Sequence, residues 1–217
     1  MSEAVKARRR YDSTRRQEQA RENGRAVLEA AHRLFLERGY AATTVRAIAA
    51  GAGVSVETVY KAFGNKPGLV KAVVDVAIVG DDEPVPMLQR DRVRRMEGEP
   101  DPRRKLEMYG EHLTDSAPRR VPVELLVRAA AASDAGAAEV WDQLEAERLT
   151  GMAFFARHLY EGGHLRPGVS VDEARDVLWT YNSAEVYELL VMRRGWAPER
   201  YGRWVAGALA AALLPHP

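Results

Sequence analysis

The sequence predicts an all-α protein: an N-terminal helix-turn-helix domain followed by a C-terminal helical domain, about nine helices in all. Three observations predict it. Apolar residues recur at three- and four-residue spacing through every long segment, and no strand-like alternation competes with them. The segments are punctuated by helix-start residues (Thr, Ser, Asp-Pro) and by stop glycines. The run TTVRAIAAGAGVSVETVYKAF, from Thr43 to Phe63, reads as two short helices joined by a glycine turn.

In chain order, residues 1–23 carry Arg8, Arg9, Arg10, Arg15 and Arg16 among polar residues, which reads as a basic arm, disordered when free and able to follow DNA. From about Arg21 to Arg38, Val27, Ala31, Leu34 and Phe35 form a helical stripe, and Gly39 stands where a left-handed residue ends a helix. Thr43 or Thr44 caps the next helix, with Val45, Ile48 and Ala49 on one side; Ala49 is small where two helices must cross closely. Gly51 and Gly53 make the turn, Ser55 caps the second helix, and Val59 and Phe63 give it an apolar side. Its outer face keeps Glu57, Thr58, Tyr60 and Lys61, with Arg46 projecting from the first helix, groups suited to phosphates and base edges. Asn65 and Pro67 start a fourth helix with Leu69, Val70, Val73, Val74 and Ala77, and GDDEPVPM then breaks the pattern. The DNA-binding domain is therefore expected over residues 24–80 and the body over 81–217.

In the body, Asp101-Pro102 opens a helix to about Ser116 and Pro122 another to about Ser133. A long helix follows from about Ala137 to Tyr160. Ser170 with Glu173 caps one reaching about Arg194, and the last runs from about Pro198 to Leu214. The stripe from Tyr201 to Leu213, with Tyr181, Val186, Leu189 and Leu190, predicts a homodimer through the last two helices.

The run TTVRAIAAGAGVSVETVYKAFGNKPGLV, preceded by FLERGY, resembles the N-terminal DNA-binding domain of the tetracycline-repressor (TetR) family, closely from Ala26 to about Leu69 and beyond that only in length and helical character. The resemblance implies that Thr44 and Arg46 lie on the helix crossing the DNA backbone. It implies that Ser55 caps the recognition helix carrying Val56, Glu57, Thr58, Tyr60 and Lys61, and that Lys66 sits near phosphate. Val56 is apolar where a base-reading side chain is often polar, so its contact would be a thymine methyl; Glu57 would repel phosphate unless it accepts from cytosine N4. The family further implies a transcriptional regulator, most often a repressor, released from a palindromic operator by a small-molecule effector, with a DNA-binding protein lacking any effector as the alternative.

Composition narrows the classes. From Met1 to Asp75 there are 14 Lys and Arg against 8 Asp and Glu, a basic head that leaves the remainder net acidic. Cysteine is absent, and no apolar run approaches a membrane span or signal peptide, which fits a cytoplasmic protein. Ten of the sixteen aromatic residues lie from Trp141 onward. Any one of them is more readily core than pocket; Met108, Tyr109, His112, Trp141, Phe154, Phe155 and Trp179 fall where the family's body encloses a small-molecule cavity. His158 and His164 lack a metal-ligand spacing, and no nucleophile, phosphate loop or cofactor motif is visible, so an enzyme, a metal site and a cofactor are not expected.

Overall fold

The computed structural model describes residues 3–80, 85 and 89–215, with side chains described from Arg15 onward except Gln17. The described residues form ten α-helices: α1 (Glu3–Ala42), α2 (Val45–Ala52), α3 (Val56–Phe63), α4 (Lys66–Val79), α5 (Asp91–Gly98), α6 (Pro102–Ala131), α7 (Ala135–Glu161), α8 (Val171–Tyr181), α9 (Ala184–Tyr187), continued as a π-helix over Glu188–Arg193, and α10 (Pro198–Leu213). None of these is long and apolar enough to cross a membrane. The chain divides into two compact units, Met1–Val73 and Val74–Pro217, so the division falls within α4, whereas the change of sequence pattern at 80–86 marks where that helix ends.

In the first unit the α1 stripe does what its spacing requires: Val27, Ala31, Leu34 and Phe35 are buried with Ile48, Ala49, Val59, Leu69, Val70 and Val73. Residues 3–23, read from the sequence as a free arm, form the first half of α1; the side chains of Arg8, Arg9 and Arg10 lie outside the described residues. Helical geometry stops at Gly39 (φ 79°). The carbonyls left there are met from the next element, because the buried Thr43 hydroxyl donates to Gly39 O at 2.8 Å and lies 3.0 Å from Leu34 O. Tyr40 stacks on Phe35, and Lys66 Nζ sits 4.1 Å over the Tyr40 ring.

The second unit is organised on α6. Its Leu106, Tyr109, Leu113, Ala117 and Val121 share one core with Met152, Phe155 and Leu159 of α7, Leu178 of α8 and Tyr201, Val205, Leu209 and Leu213 of α10. Short polar side chains cap the starts: Asp101 accepts from Arg103 N, Asp134 from Ala137 N, Ser170 from Glu173 N and Ser183 from Val186 N. Two expectations fail. The segments expected as two helices, to Ser116 and from Pro122, are one helix holding Pro118 and Pro122 in its interior. Each proline removes a helix bond at a cost of roughly 3 kcal/mol, and burial of Ala117, Val121, Val123 and Val127 around them outweighs it. The helix expected to run from Ser170 to Arg194 breaks at Asn182 and restarts from Ser183.

Helices α6 and α10 approach closely at Gly110 and Gly202. A Cβ on Gly110 would run into Gly202 O, and one on Gly202 into Gly110 O and the Thr114 hydroxyl. Both obstacles include backbone, which cannot rotate away. Gly110→Ala is therefore expected to destabilise the protein by about 1–3 kcal/mol or more, read as a lower urea midpoint; an unchanged midpoint would remove this crossing from the account of the core.

Candidate nucleic-acid interface and body cavity

The α2–α3 pair is set by its caps. Thr44 accepts from Ala47 N at 3.1 Å and Ser55 from Thr58 N at 3.1 Å, while Gly53 (φ 68°) ends α2 in the left-handed conformation. Gly51, read with Gly53 as part of the turn, lies inside α2. With Ile48, Ala49 and Val59 turned inward, Arg46, Glu57, Tyr60 and Lys61 are left exposed, Tyr60 by 51%. Val56 and Thr58 are half-buried beside them. The Glu57 carboxylate is held below its usual range, first by its own backbone N–H and then by the Ser55 hydroxyl, so it stays ionised at the positive end of α3. Lys66 is half-buried, engaged by the Tyr40 ring and 3.5 Å from Ala41 O.

The second unit holds a cavity of about 1210 Å³. Of the aromatic and polar candidates, Tyr109, His112, Phe154 and Phe155 line it; Met108, Trp141 and Trp179 do not. Trp179 instead lies under the Arg148 guanidinium, 4.5 Å from ring to Cζ, with its indole Nε1 buried and without a hydrogen-bond partner among the described residues. Tyr109 and Phe155 meet edge to face at 5.2 Å. His112 Nδ1 takes a hydrogen bond from Arg92 at 3.0 Å. Burial first, then Arg92 and Arg120, lower its pKa to about 4, so it is neutral at pH 7 with the proton on Nε2.

Sequence reasoning missed the polar groups on the same wall. Arg120 donates to both Glu124 oxygens at 2.9 and 2.6 Å, to Asn182 O at 3.1 Å and to Asn182 Oδ1 at 2.5 Å. Burial alone would disfavour its charge; Glu124 reverses this and holds the guanidinium above its ordinary pKa. The i, i+4 spacing of Arg120 and Glu124 was visible, but on a helix such a pair is ordinarily a solvated one. Lys105, also buried, reaches His158 Nε2 at 2.5 Å and Glu97 O at 3.1 Å.

A capped helix pair with an outward donor-rich face is the helix-turn-helix arrangement. Residues 27–73 match the family model described as bacterial regulatory proteins, tetR family. It is 44% identical over 61 residues to the regulator TtgR of Pseudomonas putida, covering 28% of this chain and 29% of that one. To a transcriptional repressor of Mycobacterium tuberculosis it is 52% identical over 50 residues, 23% and 27% of the two chains. The match thus spans less than a third of either relative. The fold is similar over 91% of this chain and 100% of the other to NalD, the secondary repressor of the MexAB-OprM multidrug efflux pump in Pseudomonas aeruginosa, with a TM-score of 0.67 and 18% identity.

The buried Arg120–Glu124 pair yields a prediction. Glu124→Ala leaves a guanidinium in the interior without its counter-charge and is expected to cost about 3–5 kcal/mol in urea denaturation. The double change Arg120→Met with Glu124→Leu is expected to restore most of it. Equal losses in the two variants would mean the pair carries no more than its packing.

Proposed function

We propose that the protein is a sequence-specific DNA-binding transcriptional regulator, a repressor rather than an enzyme, acting in the cytoplasm as a homodimer on a palindromic operator and released by a small-molecule effector. The observation that carries this reading is the exposed face of α3 and α2 in a domain of known family. Thr44, Arg46, Ser55, Val56, Glu57, Thr58, Tyr60, Lys61 and Lys66 form the proposed contact set. Among them Arg46, Glu57, Tyr60 and Lys61 are exposed, and Thr44 and Ser55 act by fixing the helix ends. The basic N-terminal half of α1 adds charge on the same unit.

Dimerisation is supported by a face left over on α10. Tyr201, Val205, Leu209 and Leu213 are consumed in the protomer's own core, while Trp204, Gly207 and Ala211 are exposed and Ala208 is half-buried. Small residues there permit close helix approach, and Trp204 with its edge-to-face neighbours Tyr181 and Trp196 supplies apolar area. Effector control is supported by the cavity and by α4, whose Asp75, Ile78 and Val79 line it while Lys66–Val73 of the same helix belong to the helix-turn-helix unit.

Selection of bound sequences from a random DNA pool tests the reading: two inverted half-sites with centres about 34 Å apart, or a multiple of that, are expected. Arg46→Ala and Tyr60→Phe should weaken binding to the selected site by about 1–3 kcal/mol, and Lys61→Ala should lower the slope of affinity against salt by about one. No enriched sequence, or no effect in all three variants, would overturn the assignment. Light scattering at micromolar concentration is expected to give the dimer mass, and Trp204→Lys to give the monomer; a dimer that survives this change does not use the α10 face.

A further inference from the structure

The cavity wall carries hydrogen-bond donors in excess of acceptors able to satisfy them. Lys105 is 2% exposed, and its ammonium has three protons for two partners, both uncharged: His158 Nε2 and the Glu97 carbonyl. His158 Nε2 accepts from the lysine and so cannot also donate to Glu97 O, although it lies 3.0 Å away. The Glu99 and Glu97 carboxylates favour the ammonium from a distance, but neither forms an ion pair with it among the described residues, and burial lowers the Lys105 pKa. Elsewhere on the wall of the same cavity, the buried Tyr109 hydroxyl finds, among the described residues, only the Met152 sulfur, at 3.3 Å, and Asn182 Nδ2 lies 4.0 Å from the same sulfur, a weak acceptor for both. Of the acids that also line the cavity, Glu124 is engaged by Arg120, Asp115 by Arg92 at 2.7 Å and Glu147 by Gln143 at 2.8 Å; Asp75, Asp91 and Glu97 line it as well.

We propose that the cavity binds a monocarboxylate with an apolar body, its carboxylate taking the spare Lys105 proton and its body lying on Tyr109, Met152 and Phe155. An ammonium shielded from water beside neutral partners gains most from an anion, and a carboxylate forms a charge-assisted hydrogen bond with it. A cationic ligand meets the opposite situation at Lys105, a buried like charge. This rests on the cavity being the effector site of the proposed regulator.

The test is calorimetric titration of the full chain, without DNA, with decanoate, decan-1-ol and decylamine. Decanoate is expected to bind about ten- to a hundredfold more tightly than either of the others, the worth of one charge-assisted hydrogen bond. Lys105→Met, which keeps the stem and removes the charge, should bring decanoate down to the affinity of decan-1-ol while leaving decan-1-ol unchanged. Decylamine binding as tightly as decanoate, decanoate failing to bind, or an undiminished preference in Lys105→Met overturns the proposal. Should that variant melt early by circular dichroism, the ranking of the three compounds on the unaltered protein decides. Operator release is measured separately: decanoate that binds with this ranking yet leaves the DNA complex intact upholds the carboxylate site and counts against the regulatory reading.

Discussion

A guanidinium taken out of water governs the architecture of the second unit. Arg120 projects from the middle of α6, and its fork must be met on every side: Glu124 neutralises it, and Asn182 supplies both a backbone and a side-chain oxygen. The Asn182 carbonyl is available because the helix stops there, so the break between α8 and α9 and the buried charge require each other. The field of that charge reaches the phenols around it. Burial first raises the Tyr201 pKa to about 12, and Arg120 acts against this rise. The Tyr201 hydroxyl donates to Tyr181 O, at the last residue of α8. One charge thereby links α6, the end of α8 and the inner face of α10.

The helix-turn-helix was legible because its determinants are local. Thr44, Ser55, Gly53 and Asn65 each act within a few residues of themselves, through a hydroxyl, an amide or a left-handed backbone, and each stands where its chemistry places it. The body was less legible because its determinants are distant in the chain. Pro118 and Pro122 carry a strong local signal for a helix end, overruled by side chains from α7 and α10 that no local window contains. Asn182-Ser183 was a modest signal for a break, made decisive by Arg120, 62 residues away. The same distinction applies to the cavity. Aromatic residues could be listed from the sequence, but Lys105 becomes notable only through His158 and Glu97, neither of which is its neighbour on a helix face.

The two faces considered for binding differ in how their polar groups are held. On α3 the exposed groups project from a helix whose ends are capped by its own chain, so the surface is prepared without a ligand. On the cavity wall several donors have only weak or neutral partners, so the interior is left to be completed by whatever enters. The first arrangement suits a rigid reader of a repeating polymer, and the second a site whose energy changes on filling.

The passage of α4 from one compact unit into the other has a practical meaning for dissecting the protein. A fragment ending at Val73 would strip helix partners from the carbonyls of Val70, Lys71, Ala72 and Val73, and one beginning at Val74 would strand as many N–H groups. The natural cut is therefore one turn and a half later, after Val79, where Gly80 at φ 90° already ends the helix. A severed DNA-binding unit must carry with it a stretch of helix that the cavity also needs, and the remaining body would lose Asp75, Ile78 and Val79 from its wall.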